Sequence, residues 1–229
     1  LVEHLSKRRL GNKDYSADLM GDAYEILLKK FADESKAKAG EFYTPRPVVK
    51  LLVRILDPKP GERVYDPACG SGGMLIEAVH HTKNSKLSYG LIFGQEQNPV
   101  NAAIAKMNLF LHGAADFRIM QGDTLGDPKI LQGGGLATFD CVIANPPFSL
   151  DKWGAEEAAG DPYNRFWRGI PPKSKGDWAF ISHMLEVADD NGGKVGVIIP
   201  HGVLFRGGSE GKIRQYILEN EYILEAVIG

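Results

Sequence analysis

The stretch RVYDPACGSGGMLIEAV, residues 63–79, decides the fold of this chain. An apolar run ends at Asp66, three glycines follow within seven positions, and an apolar helical pattern resumes after Gly73. Glycines there let backbone N–H groups approach a ligand at a helix N-terminus. Leu75 stands where the dinucleotide fingerprint needs its third glycine, and no Gly-Lys-Ser/Thr of a P-loop follows. The stretch predicts a strand, a tight loop and a helix, and leaves open whether the loop binds anything.

Short apolar runs alternate with helical patterns from residue 62 onward, and this alternation predicts an α/β fold with a mostly parallel sheet and helices on both faces. The predicted strands lie near residues 62–66, 89–95, 117–121, 139–144, 194–199 and 223–228. The predicted helices lie at about 72–83, 99–112, 177–189 and 210–220, with Gly113 and Gly192 as C-terminal stops.

The N-terminal part reads differently. Residues 14–33 carry one apolar stripe at helical spacing, and after a polar stretch Thr44 is placed to cap a second helix with Pro45 in its first turn. We therefore expect a short helical N-terminal element at 1–38, the remnant of a longer helical domain, and one larger domain at 39–229. The larger domain is expected to be truncated at its C-terminal end.

Composition narrows the functional classes. The chain has 27 Lys and Arg against 29 Asp and Glu, a net charge of −2, so gripping nucleic-acid phosphates unaided would be unusual. No apolar run reaches the roughly 18 residues of a membrane span, which predicts a cytoplasmic protein without membrane association. Cys69 and Cys141 lie far apart without a C-x-x-C pair, so no metal site is predicted.

Three carboxylates follow successive predicted strands. Asp66, Glu96 and Asp123 each stand at a strand end, and ligands of parallel sheets bind outside the carboxyl ends of the strands. Glu96 is placed to accept ribose hydroxyls, and Asp123 is placed to accept from an adenine amino group. Helix capping or simple solvation is the alternative for each of them.

The sharpest motif is Asn145-Pro146-Pro147-Phe148, at the end of an apolar strand. An exocyclic amine on a heteroaromatic ring is a poor nucleophile, and two acceptors, the Asn145 side-chain oxygen and the Pro146 carbonyl, would restore its lone pair. The prolines fix the backbone, and Phe148 offers a face for a flipped base. A proline-rich turn with a core Phe is the alternative, but it does not explain the Asn.

Residues 149–176 form a long segment rich in Gly, Pro, aromatics and both charges. Its aromatic and basic side chains are either a contact for a single strand or flipped base, or a solvated loop. They are Trp153, Arg165, Trp167, Arg168, Lys173 and Lys175. Trp178 and Phe180, which open the next helix, are expected to be core.

Together these motifs resemble the modification subunit of type I restriction-modification systems, an S-adenosylmethionine-dependent adenine-N6 DNA methyltransferase. The resemblance covers about residue 15 to the end, and GEFYTPR ahead of DPACGSGG is its most specific combination. It includes GEFYTPR at 40–46, DPACGSGG at 66–73, GQEQN at 94–98, QGDTL at 121–125, NPPF at 145–148 and KVGVIIPHGVLFRGG at 194–208. It implies a Rossmann-like methyltransferase fold.

The resemblance also implies residue roles. Asn145, Pro146, Pro147 and Phe148 would hold the target adenine, Glu96 would take the cofactor ribose, and Asp123 would take the cofactor adenine amine. The methionine end and the sulfonium of S-adenosyl-L-methionine would lie among Glu41, Phe42, Tyr43, Thr44, Pro45, Arg46, Asp66, Ser71, Gly72 and Gly73. The methyl group would pass directly, with no covalent enzyme intermediate.

The implied partners are double-stranded DNA with a flipped adenine, a DNA-specificity subunit and a restriction subunit, in a prokaryotic cytoplasm and at the nucleoid when assembled. Two alternatives stay open: a protein-glutamine N-methyltransferase, and a non-catalytic assembly subunit that binds the cofactor. On chemistry alone a cytosine-N4 target also fits, because both amines suit the same acceptors.

Overall fold

The computed structural model describes residues 44–82, 91–114, 116–220 and 224–229, together with residues 19, 21, 23, 24, 26 and 27. Those six isolated positions are all helical, and the rest of the helix predicted at 14–33 lies outside the described residues. The predicted domain boundary at residue 38 lies outside them too. No helix within the described residues is long and apolar enough to cross a membrane.

Within the described residues, five parallel strands form the central sheet: β1 (Val64–Asp66), β2 (Ile92–Glu96), β3 (Phe117–Gln121), β6 (Cys141–Ala144) and β7 (Lys194–Val197). Their order across the sheet is β3-β2-β1-β6-β7. A separate antiparallel pair joins β4 (Leu131–Gln132) to β5 (Gly135–Leu136). The strand order reverses at β1, where Val64 pairs with Ile92 on one side and Cys141 on the other. This reversal opens a crevice at the carboxyl ends of the strands, where α/β proteins bind ligands.

Helices cover both faces of the sheet. They are α1 (Arg46–Leu56), α2 (Gly73–Thr82), α3 (Pro99–Leu111), α4 (Asp177–Glu186) and α5 (Gly208–Asn220), with 3₁₀ turns at Ala158–Gly160 and His201–Leu204. Buried residues of α1, α2 and α3 form one core with Cys141 and Ile143. Val142 and Ala144 face a second core with Met184 of α4. The four residues of β6 thus alternate between two buried faces, as in other sheets covered on both sides.

The helix α3 is capped at both ends, and its predicted C-terminal stop at Gly113 is confirmed. The Asn98 side chain accepts from the backbone N–H groups of Val100 and Asn101 at 2.8 and 3.3 Å, and Pro99 takes the first helical position. Gly113, just past the helix, has φ of +77°, the left-handed conformation expected of a C-terminal stop.

Three details of the predicted secondary structure are wrong: one helix end, one capping residue and one strand. The helix α4 ends at Glu186, well before Gly192, because the chain after Val187 pairs with Phe139: the Phe139 N–H donates to Val187 O at 2.8 Å. Thr44 caps nothing, since Pro45 is the N-cap of α1 without a side-chain bond. Residues 224–229 form no strand and are exposed, because no neighbouring edge pairs with them within the described residues.

Candidate active site

The carboxyl ends of β1 and β2 carry Asp66 and Glu96, and Asp123 follows β3 by two residues. The loop after β1 returns to the end of β2: the Gly70 N–H donates to Glu96 Oε2 at 2.9 Å, and the Cys69 N–H donates to Gln95 O at 3.0 Å. The glycine loop and the second-strand carboxylate are therefore hydrogen-bonded to each other.

Gly70 and Gly72 adopt left-handed conformations, with φ of +53° and +84°, which explains the glycines at these positions. A Cβ at Gly70 or at Gly73 would meet no atom within 4 Å, so the space beside this loop is open. The Asn108 side chain fixes the loop from below by donating to Ser71 O at 3.1 Å. The arrangement is a preformed cradle with room for a ligand beside it.

Asp66 lies buried at the floor of this cradle, at 2% exposure. Its Oδ1 accepts from the Ala68 N–H at 2.9 Å. Burial, assisted by the negative charge of Glu96, raises the pKa of the Asp66 carboxyl to about 8. This environment keeps Asp66 protonated near neutral pH, and a cationic group placed beside it would favour loss of that proton.

Glu96 and Asp123 already bind nearby backbone groups. Glu96 accepts from the Asn98 N–H as well as from Gly70, and Asp123 Oδ1 accepts from the Leu125 N–H at 3.0 Å. The helix-capping alternative weighed for them is nevertheless wrong, because Asn98 is the N-cap of α3 and no helix begins among the described residues directly after Asp123. A carboxylate has about four lone-pair sites, and both side chains are only half-buried, so each can also accept from a ligand.

Asn145 follows β6 directly, and its side-chain oxygen is the most telling atom of the site. Its Nδ2 donates to Thr44 Oγ1 at 2.9 Å, whereas its Oδ1 is buried with no hydrogen-bond partner among the described residues. A buried acceptor without a donor costs about 1–3 kcal/mol. The Thr44 hydroxyl thus fixes the amide so that an acceptor is held ready for an external N–H.

The remaining motif residues close this side of the site. Pro146 is buried, whereas Pro147 and Phe148 are exposed, Phe148 by 51%. Ser149 holds a left-handed backbone at φ of +51°, and its N–H donates to Asp177 Oδ1 at 2.7 Å. The aromatic face is open to solvent while its backbone is anchored from behind.

Sequence reasoning missed Asp177, which is 2% exposed and also binds Arg206 NH2 through Oδ2 at 2.7 Å. An acidic residue in the first turn of a helix looks ordinary in a sequence. The only available signal was its position at the end of the long loop that starts with the Asn-Pro-Pro-Phe motif.

The predicted GEFYTPR site is only partly described. Thr44 contacts Asn145, while Pro45 and Arg46 lie exposed at the start of α1. Glu41, Phe42 and Tyr43 lie outside the described residues. The Thr44 contact nevertheless brings this segment to the carboxyl end of β6.

The long segment 149–176 packs some of its aromatic and basic side chains into the interior and leaves others exposed, Trp167 by 46%. Trp153 and Arg165 are buried, and the Trp153 Nε1–H donates to Pro172 O at 2.9 Å. Arg168 forms an ion pair with Glu186, and Lys173 does so with Glu156. A nucleic-acid contact through Trp153 or Arg165 is therefore wrong, because both side chains fill the protein interior.

The structure thus combines an open parallel sheet, a glycine cradle after its first strand, strand-end carboxylates and an Asn-Pro-Pro-Phe loop. The family model of the N-6 DNA methylases matches residues 15–229, and the chain belongs to this family.

Named relatives agree with this membership. The chain is 43% identical to the type I restriction enzyme MjaVII methylase subunit of Methanocaldococcus jannaschii over 236 residues, which cover 100% of the chain and 39% of that protein. It is 37% identical to the MjaVIII methylase subunit of the same organism, over 100% of the chain and 40% of the relative.

Among solved structures, the type I restriction-modification methyltransferase subunit of Streptococcus thermophilus superposes with a TM-score of 0.81 at 37% identity. The match covers 95% of this chain and 46% of that one. The chain thus spans less than half the length of the relatives it matches. The Rossmann-like methyltransferase fold predicted from the sequence is confirmed.

Proposed function

We propose that this chain is the catalytic part of a type I methylase subunit that transfers a methyl group from S-adenosylmethionine to the N6 amine of adenine in DNA. The observation that carries the proposal is the buried, unpartnered Oδ1 of Asn145, oriented by the Thr44 hydroxyl. An exocyclic amine is the donor that such an acceptor fits.

In the proposed mechanism the adenine amine donates one N–H to Asn145 Oδ1 and the other to the Pro146 carbonyl. Two acceptors on one NH₂ group draw its nitrogen lone pair out of conjugation with the ring and direct it toward the methyl group. The exposed ring of Phe148 stacks on the flipped base. The new N–C bond forms as the S–C bond breaks, and the amine then releases one proton to water.

The cradle fits the cofactor by its chemistry. The open space beside Gly70 and Gly73 admits the methionine end, and Asp66 provides a carboxylate for the cationic groups. Glu96 takes the ribose hydroxyls and Asp123 the adenine amine, as in other α/β folds of this kind. The remaining proposed contacts are Glu41, Phe42, Tyr43, Thr44, Pro45, Arg46, Ser71 and Gly72. The bound cofactor supplies an electrophilic methyl group.

The partners proposed for the whole protein are double-stranded DNA, a DNA-specificity subunit and a restriction subunit. The relatives are methylase subunits of type I restriction enzymes, which supports the subunit partners. A net charge of −2 supports a division of labour, because phosphate neutralisation supplies much of DNA affinity. We place the assembly in a prokaryotic cytoplasm, at the nucleoid when bound to DNA.

The test uses the full-length protein with its specificity subunit, and genomic DNA from a strain in which the gene is deleted. We expect Asn145→Ala to lower methyl transfer by at least about a hundredfold, within the range seen when one preorganised hydrogen-bonding group is removed. Cofactor affinity, measured by calorimetry, should stay within about twofold of wild type, because Asn145 touches the target amine and not the cofactor. Asn191→Ala, in an exposed turn, is the matched control.

Base-resolved mapping of the product identifies the target. N6-methyladenine at one DNA sequence supports the proposal, whereas N4-methylcytosine would move the target to the other amine. Methyl transfer to protein but not to DNA would support the glutamine-modifying alternative. Cofactor binding without transfer by the wild-type complex would support the non-catalytic one, and unaltered transfer by Asn145→Ala would remove Asn145 from catalysis.

A further inference from the structure

Arg165 is the largest fully buried side chain among the described residues, and its guanidinium lies against the loop after β3. Its Nη1 (NH1) donates to Thr124 O at 2.8 Å, and its Nη2 (NH2) donates to Leu125 O at 2.6 Å. One side chain from the long segment 149–176 therefore holds two consecutive carbonyls of this loop.

Those carbonyls belong to the two residues that follow Asp123. The Asp123 carboxylate is fixed in the same turn, because its Oδ1 accepts from the Leu125 N–H. Thr124 extends the connection to the neighbouring strand end: its Oγ1 donates at 2.5 Å to the carbonyl of Pro67, the residue after Asp66. Arg165 thus holds the backbone of the loop that carries Asp123, and the Thr124 hydroxyl joins this loop to the one that follows Asp66.

The five N–H donors of the guanidinium all have acceptors. Besides the two carbonyls, Nε and NH2 donate to Asp161 at 3.0 and 2.7 Å, and NH1 lies 3.3 Å from His183 Nδ1. A guanidinium can only donate, so Nδ1 must accept and the His183 proton resides on Nε2, 3.3 Å from Tyr65 Oη. Full satisfaction of a buried fork gives one defined geometry.

We propose that Arg165 is a positioning residue that sets Asp123 for contact with the 6-amino group of the cofactor's adenine. The inference rests on the proposed function, in which Asp123 takes that amine. A buried ion pair can be replaced by apolar side chains without loss of stability, but an apolar side chain cannot hold two carbonyls. The geometry of the fork, and not its charge alone, is therefore what the loop needs.

The experiment measures binding to the full-length protein by calorimetry with two probes. One is S-adenosylhomocysteine, and the other is its analogue whose purine lacks the 6-amino group. In wild type the missing amine should cost about tenfold in affinity, typical of a hydrogen bond to a carboxylate. Asp123→Ala and Arg165→Met should each weaken binding of the first probe about tenfold and abolish the preference for the amine.

Two further variants separate geometry from charge and from general damage. Arg165→Lys keeps the charge without the fork, so the preference should stay lost. Arg168→Met removes another largely buried arginine of the same segment, whose ion pair with Glu186 lies at the end of α4, and should keep the tenfold preference. If Arg165→Met does not fold, Arg165→Lys carries the test by itself, because it removes the fork and keeps the buried positive charge.

The outcomes are distinguishable. A retained amine preference in Arg165→Met, or in Arg165→Lys where Arg165→Met fails to fold, together with its loss in Asp123→Ala, overturns the positioning role and leaves the proposed function intact. No amine preference in wild type, or no binding of S-adenosylhomocysteine at all, overturns the proposed cofactor contact on which the inference depends.

Discussion

Asp66 and Asn145 are single residues whose buried polar atoms have fewer hydrogen-bond partners in the folded protein than they would have in water. Asp66 is buried with one backbone donor, and Asn145 Oδ1 is buried with none among the described atoms. Burying such groups without partners raises the free energy of the folded protein. A ligand that supplies a positive charge to one and an N–H to the other would recover that free energy on binding.

At the residue scale, we predict that cofactor binding releases a proton from Asp66. Its pKa of about 8 among the protein's own groups keeps it protonated at pH 7, and a cationic ligand favours the ionised form. Affinity should therefore rise with pH up to about 8 and then level off. Calorimetry in two buffers of different ionisation enthalpy measures the released proton.

Asp66→Asn is the control for this prediction, because it cannot ionise and should show no proton release and no rise in affinity. Binding to wild type without any proton release at pH 7 would contradict the role given to Asp66.

At the scale of elements, the sequence predicts the strands and helices well and the contacts between distant segments poorly. Periodicity and Gly or Pro signals are local, so α3 was predicted closely from its apolar spacing and from Gly113. The hydroxyl of Thr44 was predicted to cap a helix and instead orients Asn145, 101 residues away. The burial of Arg165 was missed for the same reason, since its five acceptors come from three separate parts of the chain.

The Asn-Pro-Pro-Phe loop is itself such an element, and we predict that its activity depends on Asp177. Asp177→Ala removes the acceptor of the Ser149 N–H, so the left-handed backbone next to Phe148 loses its anchor. We expect methyl transfer to fall at least about tenfold and stability to fall by about 1–3 kcal/mol. Cofactor affinity should hold. Initial rates with the full complex and urea unfolding measure these effects.

Asp177→Asn is the matched control, because an amide oxygen can still accept from Ser149 while the ion pair with Arg206 is lost. It should keep more activity than Asp177→Ala. Equal loss in both variants would assign the effect to the ion pair and not to the anchored backbone.

At the scale of the whole molecule, folding changes the protonation of Asp66 and of His183 in opposite directions. Burial, together with the charge of Arg165, lowers the pKa of His183 to about 3, so the folded protein keeps it neutral. Folding therefore releases a proton from His183 between pH 3 and 6.5 and takes one up at Asp66 between about pH 4 and 8. Their effects on the free energy of unfolding therefore oppose each other between about pH 4 and 6.5.

We predict that these two groups contribute a flat stability profile from about pH 4 to 6.5 and a decline from pH 6.5 to 8, where Asp66 acts alone. In Asp66→Asn the stability should instead rise up to pH 6.5 and then stay level. In His183→Asn, where the amide oxygen can still accept from Arg165, it should fall across the whole range. Urea unfolding at fixed pH values gives these slopes, and parallel profiles for all three proteins would contradict the assignment.

The hydrogen bond between Thr44 and Asn145 has a consequence for how such proteins can be recombined. A chimera of two relatives joined anywhere between these positions inherits the hydroxyl from one parent and the amide from the other. Crossovers in that interval should yield active enzymes only when the parent that supplies position 44 has a side chain there that accepts a hydrogen bond from the Asn145 amide.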